Sequence, residues 1–297
     1  MRDFQKYWAT RVDQIEEILA TTLPEVHVTP GTLHEAMRYS TLGGGKRLRA
    51  LLVMAACEAV GGDVSTTLSF VAAVEMVHAY SLIHDDLPCM DDDDLRRGKP
   101  TNHRVYGEAM AVLAGDALLT EAFAELAKMP EKYGVSSETT VRVIGELARG
   151  AGSRGMVGGQ VVDILSEGQE PDLATLDYIH RHKTGALITA ALRGGALLGG
   201  CTEEELVQIT IYGDNFGLAF QITDDILDET GQTDQLGKTV GADQRLGKQT
   251  FPRLYGLTRS QQMAEQSVAT CLVALEGFSD KAWFLRELAT FIIQRDH

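Results

Sequence analysis

Between Asp85 and Asp94 the chain carries six carboxylates in ten residues, and Arg96 and Arg97 follow at once. A second acidic set, Asp224-Asp225-Ile226-Leu227-Asp228, stands about 130 residues later among apolar neighbours. Hard oxygen ligands of this kind suit Mg²⁺, which is usually held by one or two carboxylates together with substrate phosphate oxygens. Nearby Arg and Lys then grip the remaining phosphate charge. Two such sets read as acidic walls around a bound diphosphate.

The second set has the simpler geometry. On a helix, Asp224 and Asp228 differ by about 40° of rotation and about 6 Å of rise, so both line one face. Asp225 lies about 100° from Asp224 and is left for a neighbouring helix or for support of the ligands. Phe220, Ile222 and Ile226 flank the set and argue against a merely solvated helix end. In the first set, Asp85 and Asp91 would point about 120° apart on an ideal helix. Pro88 removes a helical hydrogen bond and disfavours helix at Leu87. The resulting bulge can swing Asp91 or Asp92 back toward Asp85, and the sequence leaves open which one. Asp93 and Asp94 are assigned to solvent or to ion pairs with Arg96 and Arg97.

Cations form a matching set. Gly43-Gly44-Gly45-Lys46-Arg47-Leu48-Arg49 reads as a glycine-rich helix entry whose backbone N–H groups favour anions. Lys46 and Arg49 are expected one turn apart on one face. Lys183-Thr184, Lys238 and Lys248 are further candidates, although each lysine alone would read as surface. His78 stands two turns before Asp85 on nearly the same helix face. Alone, a histidine in an apolar helix reads as a core residue.

The elements that must position these groups are helical. Phe4, Trp8, Val12, Ile15, Ile18 and Leu19 recur at spacings of three and four, an amphipathic helix. The same pattern is expected near 47–60, 65–87, 107–128, 137–149, 172–182, 184–199, 203–229, 260–276 and 280–294. Strand signals are nearly absent. Two irregular stretches, 88–106 and 231–249, each follow an acidic set and are expected to act as lids. With no composition break along the chain, the expectation is one all-α domain over residues 1–297.

Composition narrows the function classes. Hydrophobic residues make up 44% and charged residues 23% of the 297 residues, ordinary for a globular chain. A formal net charge of −15 argues against a nucleic-acid partner, which would want a basic face. Cys57, Cys89, Cys201 and Cys271 show no metal spacing and suggest a reducing compartment. With no secretory leader visible, the expected location is the cytoplasm. The longest apolar run is read as Ala50 to Ala56, too short for a membrane span.

These motifs, taken together, resemble the trans-prenyl diphosphate synthases. The match runs through Gly-Gly-Lys-Arg-Leu-Arg at 44–49, the acidic set from Asp85 with Arg96-Arg97-Gly98-Lys99-Pro100-Thr101, and Gly115-Asp116-Ala117-Leu118-Leu119. It continues through Gly159-Gln160-Val161-Val162-Asp163, His182-Lys183-Thr184, Phe220 to Asp228 and Leu236-Gly237-Lys238. Order and spacing hold from about residue 40 to Ile-Ile-Gln-Arg at 292–295. Within the family the chain is most similar to the bacterial farnesyl diphosphate synthases, whose first motif carries the same two-residue insertion.

That resemblance implies a helical bundle around a deep central cavity, usually as a homodimer. It implies an allylic substrate, dimethylallyl or geranyl diphosphate, held through three Mg²⁺ ions by Asp85, Asp91 and Asp224, with Asp86, Asp225 and Asp228 supporting. Arg96, Lys183 and Lys238 would bind the same diphosphate beside Thr184 and Gln221. Gly45, Lys46, Arg49, His78 and Arg97 would hold isopentenyl diphosphate, and Lys248 joins the substrate-binding set. Tyr80 and Ser81, five and four residues before Asp85, would set product length. A large aromatic at that level implies a floor that stops elongation near fifteen carbons, hence farnesyl diphosphate. A twenty-carbon geranylgeranyl product is the alternative, and a non-catalytic partner subunit a distant third because both acidic sets are intact.

Overall fold

A computed structural model describes residues 3–169, 172–230 and 250–294. The described chain is all-α apart from one two-residue strand pair, and it falls into two compact units. The first comprises residues 1–54 and 64–144, the second 55–63 and 145–297.

In the first unit, α1 (Phe4–Thr22) starts where the Asp3 carboxylate accepts a hydrogen bond from the Lys6 N–H. Such a cap satisfies one of the donors that the first helical turn leaves over. The apolar stripe then buries Ile15 and Leu19. Helix α2 (Gly31–Thr41) and the first turns of α3 (Leu48–Ala59) follow. Helix α4 (Leu68–Asp85) is apolar on nearly every side, with twelve residues buried. A helix hydrophobic all round must sit inside, and α4 packs along α6 (Glu108–Ala127). A Cβ on Gly115 of α6 would stand 2.1 Å from the His84 ring nitrogen, so only glycine permits that approach. Between them run β1 (Leu95–Arg96), β2 (Lys99–Pro100) and α5 (Asn102–Tyr106), and beyond α6 come α7 (Met129–Tyr133) and the start of α8 (Ser137–Ala151).

Under α4 lies a buried ion cluster. Arg47 Nη1 stands 3.2 Å from Glu75 and its Nε donates to Glu16 at 2.7 Å, while its Nη2 donates to the Thr41 carbonyl at 2.7 Å. Burial alone would depress the guanidinium pKa, but the Glu16 hydrogen bond and the two carboxylate charges outweigh it and raise the pKa.

In the second unit, α9 (Met156–Ser166), α10 (Leu173–Ile179), a π-helical turn (His180–Gly185) and α11 (Ala186–Leu198) lead to the long α12 (Glu203–Thr230). Helices α13 (Phe251–Tyr255), α14 (Leu257–Ala274) and α15 (Trp283–Ile292) close the chain. Helix α12 packs along α14 and α11. Tyr212 of α12 buries its ring and donates its hydroxyl to the Leu285 carbonyl at 2.8 Å. Leu176, Ile222, Phe251 and Ala264 form a local core on the far part of the same helix.

Several expectations change. The expected helical stretches omit α2 and α9 and the short α5, α7 and α13; α9 runs through Gly158 and Gly159, both helical. The stretch 88–106 is ordered into the strand pair and α5. The stretch 231–249 lies outside the described residues. Residues 64–85 are long and apolar enough to cross a membrane, contrary to the reading that stopped at 50–56. Ser69, Glu75, His78 and Ser81 break the run for the eye, yet the mean hydropathy stays at 1.3, and the helix is mostly buried in its own unit.

Candidate active site

Helix α4 ends at Asp85, and the turn after it is built by Pro88. The Asp91 N–H donates to the Asp85 carbonyl at 2.9 Å, while Met90 and Asp92 N–H groups reach the Leu87 carbonyl at 2.8 and 3.1 Å. Asp92 adopts a left-handed φ of 51°, a conformation that Asp tolerates better than most residues. The bulge therefore carries the Asp91 backbone, not that of Asp92, back to Asp85. Asp86 is taken up by Arg96: its buried carboxylate accepts two hydrogen bonds from Arg96 Nε at 2.7 and 2.9 Å. Asp93 sits 3.7 Å from Arg96. Asp94 pairs with Arg104 at 3.0 Å rather than with Arg97, both partners being exposed.

The glycine-rich turn differs from its expected form. Helix α3 begins only at Leu48, so Lys46 is exposed on extended chain and is not one helical turn from Arg49. Left-handed φ values at Gly44, Gly45 and Arg47 prevent an earlier start. Arg47 turns inward to Glu75 instead. Arg97 Nη1 donates to the Gly44 carbonyl, and a Cβ on Gly45 would stand 2.7 Å from the Arg97 guanidinium carbon. The turn thus lies directly against Arg97. Burial, then the charge of Arg47, depresses the Arg97 pKa. Burial and the charges of Arg49, Arg97, Arg96 and Arg47 hold His78 well below the ordinary histidine value. This side of the first unit is a place where positive charge is crowded and an anion would relieve it.

Tyr80 is buried on α4, its ring edge-on to His84 at 5.8 Å. Burial and the Asp85 charge push its hydroxyl up to about 12. Ser81 donates its hydroxyl to the His78 carbonyl at 2.9 Å.

In the second unit the π-turn organises the groups. Lys183 Nζ stands 2.6 Å from Asp163. A Cβ on Gly159 would be 2.1 Å from the Lys183 nitrogen, so α9 and the turn touch backbone to backbone. Gln221 accepts from the Thr184 hydroxyl at 3.2 Å, lies 3.3 Å from His180 Nδ1, and donates toward Asp224 at 3.4 Å. Asp225 is buried; it accepts from the Phe251 N–H at 2.9 Å and stands 3.4 Å from His180 Nε2. For His180, burial opposes charge, but Asp225 and Gln221 outweigh it and raise the pKa. Asp228 is half-buried on the Asp224 face of α12. Lys238 and Lys248 lie outside the described residues.

Asp163 and His180 are the groups that sequence reasoning left without a role. The signal for Asp163 was present: Gly159 and Asp163 are one turn apart on α9, so the closely packed face carries the carboxylate. No sequence signal marks the His180–Asp225 pair, because it joins two helices.

The acidic sets fit a hard cation in donor chemistry. Among the described residues no three acidic, histidine or cysteine side chains are gathered at one point. That is compatible with Mg²⁺, which takes only one or two protein carboxylates and completes its shell from water and phosphate.

An all-α chain with two acidic helix ends and cations around each defines the prenyl diphosphate synthase class. A family model described as polyprenyl synthetase matches residues 30–282, and the chain belongs to that family. Geranylgeranyl pyrophosphate synthase 11, chloroplastic, of Arabidopsis thaliana is 50% identical over 99% of this chain and 82% of its own length. Among solved structures, an apo FPP/GFPP synthase from Zymomonas mobilis has a TM-score of 0.87 at 37% identity, covering 98% of both chains. Geranylgeranyl pyrophosphate synthetase from Pyrococcus horikoshii Ot3 has a TM-score of 0.87 at 31% identity, again over 98% of both chains.

One expectation is corrected by these relatives. The cytoplasmic assignment rested on scattered cysteines and the lack of a secretory leader, whereas the Arabidopsis relative is named chloroplastic. Those two signals report redox state and secretion, and neither distinguishes one reducing compartment from another.

Proposed function

We propose that the chain is a geranylgeranyl diphosphate synthase, condensing an allylic diphosphate with isopentenyl diphosphate to a twenty-carbon product. The observation that carries this reading is the 50% identity, over nearly the whole chain, to an enzyme of that name. In this reading Asp85, Asp91, Asp224 and Asp228 hold Mg²⁺ with the allylic diphosphate. Bound there, Mg²⁺ supplies charge neutralisation of the departing diphosphate.

The chain's own groups do the rest. Lys183 and Lys238 add positive charge at the leaving diphosphate, and Thr184 and Gln221 position it. Asp86 fixes Arg96, and Asp225 anchors α12 to α13 through the Phe251 N–H. Lys46, Arg49, His78 and Arg97, with the Gly45 backbone, hold the second diphosphate. Apolar walls exclude water from the allylic carbon once its carbon–oxygen bond breaks. The double bond of isopentenyl diphosphate then forms the new carbon–carbon bond, the departed diphosphate takes the proton lost from the adduct, and the allylic product, five carbons longer, re-enters the cycle until it reaches twenty carbons. Lys248 remains a proposed substrate contact. The reading takes the chain as one catalytic domain acting as a homodimer.

A fifteen-carbon farnesyl product is the second reading, favoured by buried Tyr80 five residues before Asp85. One experiment separates them. Purified protein is incubated with dimethylallyl diphosphate, labelled isopentenyl diphosphate and Mg²⁺, and the dephosphorylated products are chromatographed. Geranylgeraniol is the expected product; farnesol as the main product would favour the second reading, and no condensation would sink both.

A further inference from the structure

In the second unit, α8, the π-turn, α11 and α12 line an open cavity of about 320 Å³ that holds none of the residues assigned above. Its wall carries Arg149, Arg154, Arg181 and Arg193 against only two carboxylates, Glu146 and Asp214. Four guanidinium groups in one cavity stand out in a chain whose formal net charge is −15. Both carboxylates are engaged, and Arg181 is in turn held by Asp177 beside the cavity, its Nε donating to both carboxylate oxygens at 2.8 Å. Glu146 is buried and receives Arg193 through two bonds of 2.9 Å and Arg149 through one of 2.7 Å. Asp214 accepts from the Thr189 hydroxyl at 2.9 Å. Burial would raise the Glu146 pKa, but the two arginines outweigh it and hold the carboxylate ionised. Arg154, at the end of the row, is exposed and makes no ion pair among the described residues.

Guanidinium forks match phosphoryl oxygens in shape as well as charge. The volume is at the lower end for small-molecule sites. Besides the charged groups and His182, the lining is Gly150, Gly185, Ala186, Thr189 and Ala190, with no long apolar trough for a prenyl tail. We propose that this cavity is a second, separate site for a free phosphoryl anion of the pyrophosphate class. Its position gives it a route to the chemistry. The turn that presents Arg181 and His182 to the cavity presents the next residue, Lys183, to Asp163. The inference does not depend on product length or on the reaction proposed above.

The probe is inorganic pyrophosphate, titrated calorimetrically into the full chain in EDTA so that Mg²⁺-dependent binding is silent. The test uses R154Q, which disturbs no pair, and R149Q/R154Q; R49Q/R97Q controls for pyrophosphate at the proposed isopentenyl site. The expected result is binding that survives in R49Q/R97Q and weakens at least about ten-fold in R149Q/R154Q, the loss that one or two charge-assisted bonds imply. R154Q should weaken it by a smaller factor, with an unchanged melting temperature. Binding that vanishes in R49Q/R97Q and persists in R149Q/R154Q would overturn the proposal, as would no binding in EDTA. A prenyl diphosphate equal to pyrophosphate in R49Q/R97Q supports a free-anion site. One bound ten-fold more tightly there would overturn that assignment in favour of a lipid headgroup.

Discussion

The Asp91 N–H donates to the Asp85 carbonyl at 2.9 Å, closing a five-residue excursion forced by Pro88. This one backbone bond returns the Asp91 backbone to the end of α4, where an unbroken helix would have turned the residue about 120° away from Asp85. D85A and D91A should each lower kcat by roughly 10²-fold or more, the size seen when preorganised charge stabilisation is removed. D94N should stay within about two-fold, because the Asp94 carboxylate makes an exposed pair with Arg104 and such pairs are worth little. Steady-state kinetics with folding checked by circular dichroism decide it; normal turnover in D85A would refute the metal assignment.

Gly159 tests whether Lys183 matters through its position. A methyl group there has 2.1 Å to the Lys183 backbone nitrogen and must push the π-turn away from α9. G159A is expected to cost about 1–3 kcal/mol of stability. It should also raise KM for the allylic substrate while leaving KM for isopentenyl diphosphate nearly unchanged. Equal effects on both KM values would argue for general unfolding rather than displacement of Lys183.

His78 makes a pH prediction with a definite sign. Its folded pKa is depressed below the ordinary 6.5 by burial and by four arginines, so the unfolded chain binds more protons below that pH. The associated stability is present above about pH 6.5 and is lost as pH falls toward the folded value. H78Q should flatten this part of the stability curve, measured by urea denaturation between pH 5 and 7. A bound diphosphate reverses the local charge, so binding there should take up a proton that H78Q does not.

Arg47 is a stability prediction. Its guanidinium is buried between Glu75 and Glu16, and removing it leaves Glu75 without its charge partner in the interior. R47A should lose about 3–5 kcal/mol, the range for breaking a buried ion pair. R47A/E75Q should recover part of that loss, since the stranded charge is gone. A double variant less stable than the single one would contradict the charge explanation.

Tyr80 decides between the two product readings by its bulk. If it forms a floor, Y80A should lengthen the product by at least one five-carbon unit, read by chromatography of the alcohols. If the twenty-carbon reading holds with Tyr80 packed against His84, Y80A should leave the spectrum unchanged and only lower the melting temperature.

Much was legible before any coordinates. Asp and Arg spacing pointed to diphosphate chemistry because carboxylate, Mg²⁺ and phosphate form one chemical set. Three- and four-residue periodicity placed most helices because a stripe of apolar groups must be buried. Pro88 announced the bulge because proline acts on its own neighbours, and the consequence is local.

What only tertiary structure decided was which partner each polar group meets. Arg47 and Lys46 are adjacent in sequence, yet one is buried on Glu75 and the other exposed. Asp85 and Asp86 are adjacent too, yet Asp86 is bound to Arg96. Asp225 ties down Phe251 across 26 residues, and Gly159 of α9 packs against the backbone of the π-turn at Lys183. Residue type and spacing state what a side chain can bind. Burial and long-range pairing state what it does bind, and those depend on contacts between helices that no local pattern encodes.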